Sequence, residues 1–321
     1  MIERDEIDFA EYERATEPAL KVRKASAFAE DLEQAFVRRG PGDYGPHMRS
    51  TKLGHDLEFR KGEVTIWAGY NGHKKSMFTG QVAIDLCDMV QRVLIASLEM
   101  QPSATLARMA RQALAKQWPT RQQLATFTDW TDDRLWLFDH VGRLSPSLCL
   151  AVLRFFARER GGQHVFIDSL MKVCQSEESL DEQKQLMSDL CDVAKETGLH
   201  VHLVAHCRKP QSGDDSKPPT KYDLRGSSAV SDLAHNVVTV WSNKAKQAAV
   251  KQDPMTHKAG EPDMAVTVEK QRNGEFEGRV SAWFDPMTFR FVNDRTSAVE
   301  PYDMSACQKL PAHAHLTEAA A

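Results

Sequence analysis

The chain has 321 residues, 41% apolar and 27% charged, with a formal net charge of −4. This balance suits a globular protein with one large α/β domain plus appendages, and it excludes a fibre or wholesale disorder. No apolar run approaches the roughly 20 residues of a membrane-spanning helix, and the acidic start MIERDEIDFAEYER has neither signal-peptide nor transit-peptide character, so a cytosol-type compartment and no membrane association are expected. The mild acidity neither announces a nucleic-acid binder nor excludes one, because local charge matters more than the total.

In chain order, residues 1–50 form an expected leader, with a helix over 17–38 and the turn-rich linker RRGPGDYGP. From residue 51 apolar β-rich runs alternate with amphipathic stretches. VTIWAG precedes a helix near 75–90, VLIASLEM a helix near 103–116, RLWLFDH a helix near 146–160, and HVFIDSL a helix near 181–197. HVHLVAH, a polar loop, NVVTVWS, MAVTVEKQ and RVSAWFDP follow. Such alternation predicts an α/β fold, a mostly parallel sheet flanked by helices, with a C-terminal β-hairpin. The domain is expected to run over 51–295, with 296–321 as a frayed tail. The six cysteines form no C-x-x-C pair and read as reduced, mostly core residues.

The chemistry concentrates in GEVTIWAGYNGHKKS, a strand entering a glycine-containing turn that ends in Lys-Ser. Aligned to G-x-x-x-x-G-K-[ST], Gly69 is the first glycine, Lys75 the phosphate lysine and Ser76 the magnesium-side hydroxyl, while Asn71, Gly72, His73 and Lys74 complete the loop. In such a loop backbone N–H groups and the following helix N-terminus cradle phosphate. Lys74 stands where the second glycine belongs. A positive φ there would strain a lysine, whereas an αR-like backbone would let the side chain point to solvent.

Other candidates sit at the ends of apolar runs. Asp168 closes HVFID and can partner Mg²⁺ beside a nucleotide, and Glu99 follows VLIAS, where a carboxylate can polarise an attacking water. His206 ends HVHLVAH, placed to sense a terminal phosphate, although an isolated histidine there is commonly structural. The loop that follows carries Lys209, Lys217, Lys221 and Arg225, suited to sequence-independent contacts with single-stranded nucleic acid or simply to a solvated loop. Lys270 and Arg272 share a strand face by their spacing of two, a cationic pair able to reach a neighbouring subunit's phosphate or merely to charge an edge strand.

In order and wording, GYNGHKKS, SLEM, VFIDSL, VAHCRK, DLRGSS and EKQRNGEFEG resemble the superfamily 4 replicative helicases, the DnaB, bacteriophage primase-helicase and Twinkle kind, over about residues 50–292. The resemblance implies a RecA-like P-loop NTPase core and ring hexamers driven by ATP or another NTP with Mg²⁺ along single-stranded DNA, typically 5′ to 3′. By position it implies that Lys75 and Ser76 bind phosphate and Mg²⁺, Glu99 activates water, Asp168 is the Walker B acid and His206 senses the γ-phosphate. It also implies that Lys270 and Arg272 form the trans-acting finger pair, that the leader helix packs on the adjacent subunit, and that the 207–228 loop faces the channel. The chain has no room for a primase domain, so a separate primase or loader is expected, in the host cytoplasm if the protein is of phage or prophage origin. Two other readings stand beside the motor: a nucleotide-dependent DNA-binding or loading module impaired by Lys74, and a recombinase-like filament ATPase, to which SLEM and KQRNG are less similar.

Overall fold

The computed structural model describes residues 24–36, 44–174, 179–208, 210 and 215–305. A short 3₁₀ turn leads into α1 (Ala29–Phe36), the described part of the expected leader helix. A small antiparallel hairpin, β1 (His47–Met48) and β2 (Gly54–Glu58), precedes β3 (Val64–Gly69) and α2 (Lys75–Asp88). Then come β4 (Val93–Ser97), α3 (Pro102–Leu114), α4 (Arg121–Thr131), β5 (Leu135–Leu137), α5 (Pro146–Arg160), β6 (His164–Asp168), α6 (Leu170–Val173), α7 (Leu180–Thr197) and β7 (His200–His206). The chain continues through α8 (Ser228–Leu233), β8 (Asn236–Ser242), α9 (Lys244–Gln252), β9 (Met264–Gln271), β10 (Gly278–Asp285) and β11 (Arg290–Val292).

These strands build one nine-stranded sheet in the order β11-β10-β9-β8-β3-β7-β6-β4-β5. From β8 to β5 all neighbours are parallel, and the last three strands add an antiparallel extension. The central strands are buried on both faces, which is why VTIWAG and VLIAS read as unbroken apolar runs rather than alternations. Val64, Ile66 and Ala68 face the core covered by α5 and α7, while Trp67 faces the core covered by α2, α3 and α4. The strand order changes direction at β3, whose parallel neighbours β7 and β8 lead to opposite halves of the sheet, so the crevice at its carboxyl end is where such folds bind ligands.

Residues on the outer side of both expected domain boundaries pack onto the domain. Asp85 on α2 is fully buried and accepts from the Ser50 backbone N–H (3.2 Å), the Ser50 hydroxyl (2.6 Å) and the Tyr302 hydroxyl (2.6 Å), drawing both flanking segments onto the domain. Met48 is also in the core, and the Arg290 guanidinium covers the Tyr302 ring. The frayed tail expected from 296 therefore does not begin there. Single-residue anchors such as Tyr302 give no periodic signal. Cys87, Cys149, Cys174, Cys191 and Cys207 are buried and unpaired, as expected; Cys307 lies outside the described residues. Among the described residues no helix is long and apolar enough to cross a membrane.

A cluster of neutral histidines lies inside the sheet. His202 Nδ1 accepts the Trp67 indole N–H (3.2 Å), so its Nε2–H faces His164 Nδ1 (3.3 Å); the ring stacks on Phe166. His200 donates from Nδ1 to the Arg60 carbonyl (2.6 Å) and accepts the Thr65 hydroxyl at Nε2 (2.8 Å). Burial lowers all three, His200 to about 3. The unfolded chain takes up these protons from about pH 6.5 downward while the folded one does not, so stability falls with falling pH between that value and the folded pKa values. Three such groups predict a loss of about 4 kcal/mol between pH 7.5 and 5.5. Urea unfolding at the two pH values measures it, and equal midpoints would show that these rings do not resist protonation.

Candidate nucleotide site

Gly69 ends β3 where a side chain has no room: a Cβ would lie 2.3 Å from the Val240 carbonyl oxygen. Gly72 turns the loop at a φ of +76°, a conformation that favours glycine. α2 then begins at Lys75 with no side-chain cap and no acidic residue in its first turn. Its N–H groups and positive end are thus left to an anion.

Lys74 also lies at positive φ, +62° with ψ 22°, the backbone that a glycine in this position would supply. The side chain turns out of the loop and sets its ammonium 4.9 Å from the centre of the Phe284 ring. Of the two possibilities left open by the sequence, the strained backbone is the one present, partly offset by a cation–π contact.

Lys75 is buried, and its ammonium donates to the Gly69 and Tyr70 carbonyls, both at 3.0 Å. It also stands 3.2 Å from His206 Nδ1. An ammonium only donates, so Nδ1 accepts and the neutral ring carries its proton on Nε2, 3.8 Å from Glu99 Oε1. The Ser169 hydroxyl donates to the same carboxylate oxygen (2.9 Å). His206 and then Ser169 hold the Glu99 carboxyl at about 2, against partial burial. Asp168 is buried at the end of β6, which raises its carboxyl, while a hydrogen bond from Ser76 opposes the rise. Lys75 is lowered by its own burial, with Asp168 the leading opposing charge.

The sheet register explains this convergence. β3, β4, β6 and β7 are parallel neighbours or near neighbours, so residues that end four separate apolar runs meet at one edge. The site residues fit a triphosphate with Mg²⁺: a cradle that a Cβ would fill, an uncapped helix start, a lysine, and a Ser–Asp pair of hard oxygen donors. Among the described residues no cluster of three or more His, Cys, Asp or Glu suits an all-protein metal site.

Not every candidate faces the cradle. The His73 side chain is fully buried beneath the loop; its Nδ1 accepts the Ser242 N–H (3.0 Å) and its Nε2–H donates to Asp215 (3.0 Å). Lys244 bonds the same Asp215 (3.3 Å) and reaches the Asn71 carbonyl (3.5 Å), so Asn71 and Gly72 are braced from outside. Sequence reasoning missed Asp215, Ser242 and Lys244, which lie more than 140 positions from the loop they brace and match no spacing rule.

Lys270 and Arg272 fall at the far end of the sheet. The Arg272 N–H bonds the His235 carbonyl, and the His235 N–H bonds that of Val64, five residues before Gly69. At about 3.3 Å per residue this is about 16 Å along the strand. Both cations grip the end of α8: Lys270 donates to the Ser231 (3.0 Å) and Asp232 (2.8 Å) carbonyls, and Arg272 to that of Asp232 (3.1 Å). They share a face, as the spacing predicts, and lie far from this chain's own phosphate loop. Of the loop cations, Lys217 and Arg225 are exposed, the Lys221 ammonium bonds the Glu269 carbonyl (3.3 Å), and Lys209 lies outside the described residues.

A glycine-cradled helix start at the switch point of a mostly parallel sheet, with carboxylates ending adjacent strands, defines a RecA-like nucleotide-binding ATPase core. Residues 51–212 match the AAA domain family, and the chain belongs to it. It is 27% identical over 207 residues to the DNA helicase/primase of Enterobacteria phage T3; the match covers 59% of this chain and 37% of that protein's length. Its fold resembles the ATPase domain of G40P (TM-score 0.66, 18% identity, 84% of this chain and 99% of that one). It also resembles a DnaB-like replicative helicase described with its primase interactions (TM-score 0.68, 18% identity, 86% and 69%). The resemblance to the superfamily 4 helicases read from the sequence agrees with these relatives.

Proposed function

We propose that the chain is the motor of a replicative DNA helicase, hydrolysing ATP to move along single-stranded DNA, 5′ to 3′, as a ring hexamer that works with a separate primase or loader. The observation carrying this reading is the split placement of its cations. Lys75 stands among Ser76, Asp168, Glu99 and His206, whereas Arg272 stands about 16 Å along the sheet, too far to serve the same site, which supports a role toward another copy's.

In this reading the Gly69–Lys75 backbone and the Lys75 ammonium would hold the phosphates, and Ser76 with Asp168 would hold Mg²⁺, which would supply positive charge against the phosphate. Glu99 orients and polarises a water. Held at about 2 it is a weak base, and it gains basicity when His206 turns away from it. His206 thereby links the terminal-phosphate position, through Lys75, to the catalytic carboxylate. Lys270 and Arg272 neutralise charge in a neighbouring subunit's site, while Lys209, Lys217, Lys221 and Arg225 follow the DNA backbone.

Steady-state ATP hydrolysis, with and without single-stranded DNA, tests the motor beside a Lys74→Gly variant. The natural chain is expected to turn over faster with DNA. Lys74→Gly is expected to be equally active, because the lysine already adopts the glycine-type backbone and directs its side chain elsewhere. Its stability should change by under about 1 kcal/mol, since relief of a left-handed backbone opposes loss of the Phe284 contact. Turnover only in Lys74→Gly would instead establish the loading-module reading.

A further inference from the structure

Beyond the cations, the loop that follows His206 presents one large aromatic side chain. Tyr222 is 84% exposed. Burying its ring would have been favourable, and nothing in the local backbone prevents the chain from being disordered there. Instead the backbone beneath the ring is fixed on every side. A 3₁₀ turn over Lys221–Asp223 is closed by reciprocal bonds, with Asp223 accepting the Thr220 N–H (2.7 Å) and hydroxyl (2.9 Å). Cys207 and Leu224 form an antiparallel bridge, the Arg208 N–H donates to the Asp223 carbonyl (2.7 Å), and the Arg225 N–H donates to the His206 carbonyl (2.8 Å). Leu224 is buried in the core, and Lys221 is tied to Glu269 on β9. The turn is thus clamped to the end of β7, one strand from the phosphate loop, while the ring between its clamps remains in solvent.

We propose that Tyr222 is a base-stacking residue, a platform on which one base of the bound DNA strand rests. This deepens the helicase reading and rests on it. Phosphate contacts alone need only Lys217, Lys221 and Arg225, and they are served as well by a mobile, wholly polar loop. An aromatic face set among cations is the arrangement that takes an unpaired base and its backbone together, for any sequence, because every base has a π-face. The ring has few torsions to freeze and its backbone is already ordered, so little entropy is lost on stacking. Lys221 lies 5.6 Å from the ring centre on the same turn and adds positive charge beside it. Because the turn is bonded to the His206 carbonyl, a base on Tyr222 bears directly on the strand end that holds the phosphate-sensing imidazole.

The test is binding of the full chain, with Mg²⁺ and a non-hydrolysable ATP analogue, to two labelled strands of equal length. One is oligothymidylate and the other is fully abasic. Tyr222→Ala is expected to weaken oligothymidylate binding roughly 5- to 150-fold, the worth of one stacked base. It should leave the abasic strand unchanged, and Tyr222→Phe should bind both like the natural chain. Equal affinity of all three proteins for oligothymidylate would overturn the proposal, as would equal losses on both strands. So would a Tyr222→Ala chain that fails to assemble by sedimentation, which would place the ring against another copy. If the natural chain binds neither strand, the DNA reading itself falls, a result distinct from binding that is indifferent to Tyr222.

Discussion

Lys75→Ala is expected to weaken ATP binding by about 2–5 kcal/mol, at least thirtyfold, and to abolish measurable turnover. The ammonium is buried between the Gly69 and Tyr70 carbonyls and the His206 ring, and it is the first-turn cation aimed into the cradle. In the proposed reading its removal deletes a desolvated charge whose anionic partner would be the nucleotide. Burial already lowers this lysine, so its charge contributes little to folding and the variant should melt near the natural chain. Equilibrium binding of a fluorescent ATP analogue, read beside a thermal melt, separates the two effects. Normal affinity in a folded variant would remove the phosphate-loop assignment.

Arg272→Ala is expected to lower turnover by about 10³-fold or more, the scale of a trans-acting arginine, with nucleotide affinity largely intact. Glu99→Ala should be equally inactive, for loss of the polarising carboxylate. The two lesions lie at opposite ends of one sheet, so mixed assemblies contain interfaces in which an intact Glu99 site meets an intact Arg272. Titrating one variant into the other should therefore restore activity through a maximum at intermediate ratios. Flat, inactive mixtures at every ratio would mean that sites are not shared between subunits.

Much of this site is legible in the sequence because its residues end apolar runs. A buried parallel strand is a continuous apolar string, and the first polar residue after it lies at the carboxyl edge where the crevice opens. Asp168, Glu99 and His206 are read in this way, and Gly69 to Ser76 by the chemistry of phosphate binding. What escapes is whatever depends on distant pairing. His73 reads as a phosphate-loop position, yet its side chain is a buried brace to Ser242 and Asp215. Tyr302 belongs to a segment without periodicity, yet it is anchored on Asp85. α4 and α9 lie in stretches where polar residues obscure the helical period.

By itself, then, the sequence determined the fold class and picked out a candidate phosphate loop and candidate chemical groups, since strand burial, helix periodicity and glycine requirements are local properties. Only the tertiary structure decided where those groups stand toward one another. Parallel register brings four strand ends to one edge, and the antiparallel return of β9 carries Lys270 and Arg272 to the other. It also decided the backbone of Lys74 and the exposure of Tyr222, because a φ angle and the solvent around a ring depend on packing from segments far away in the chain.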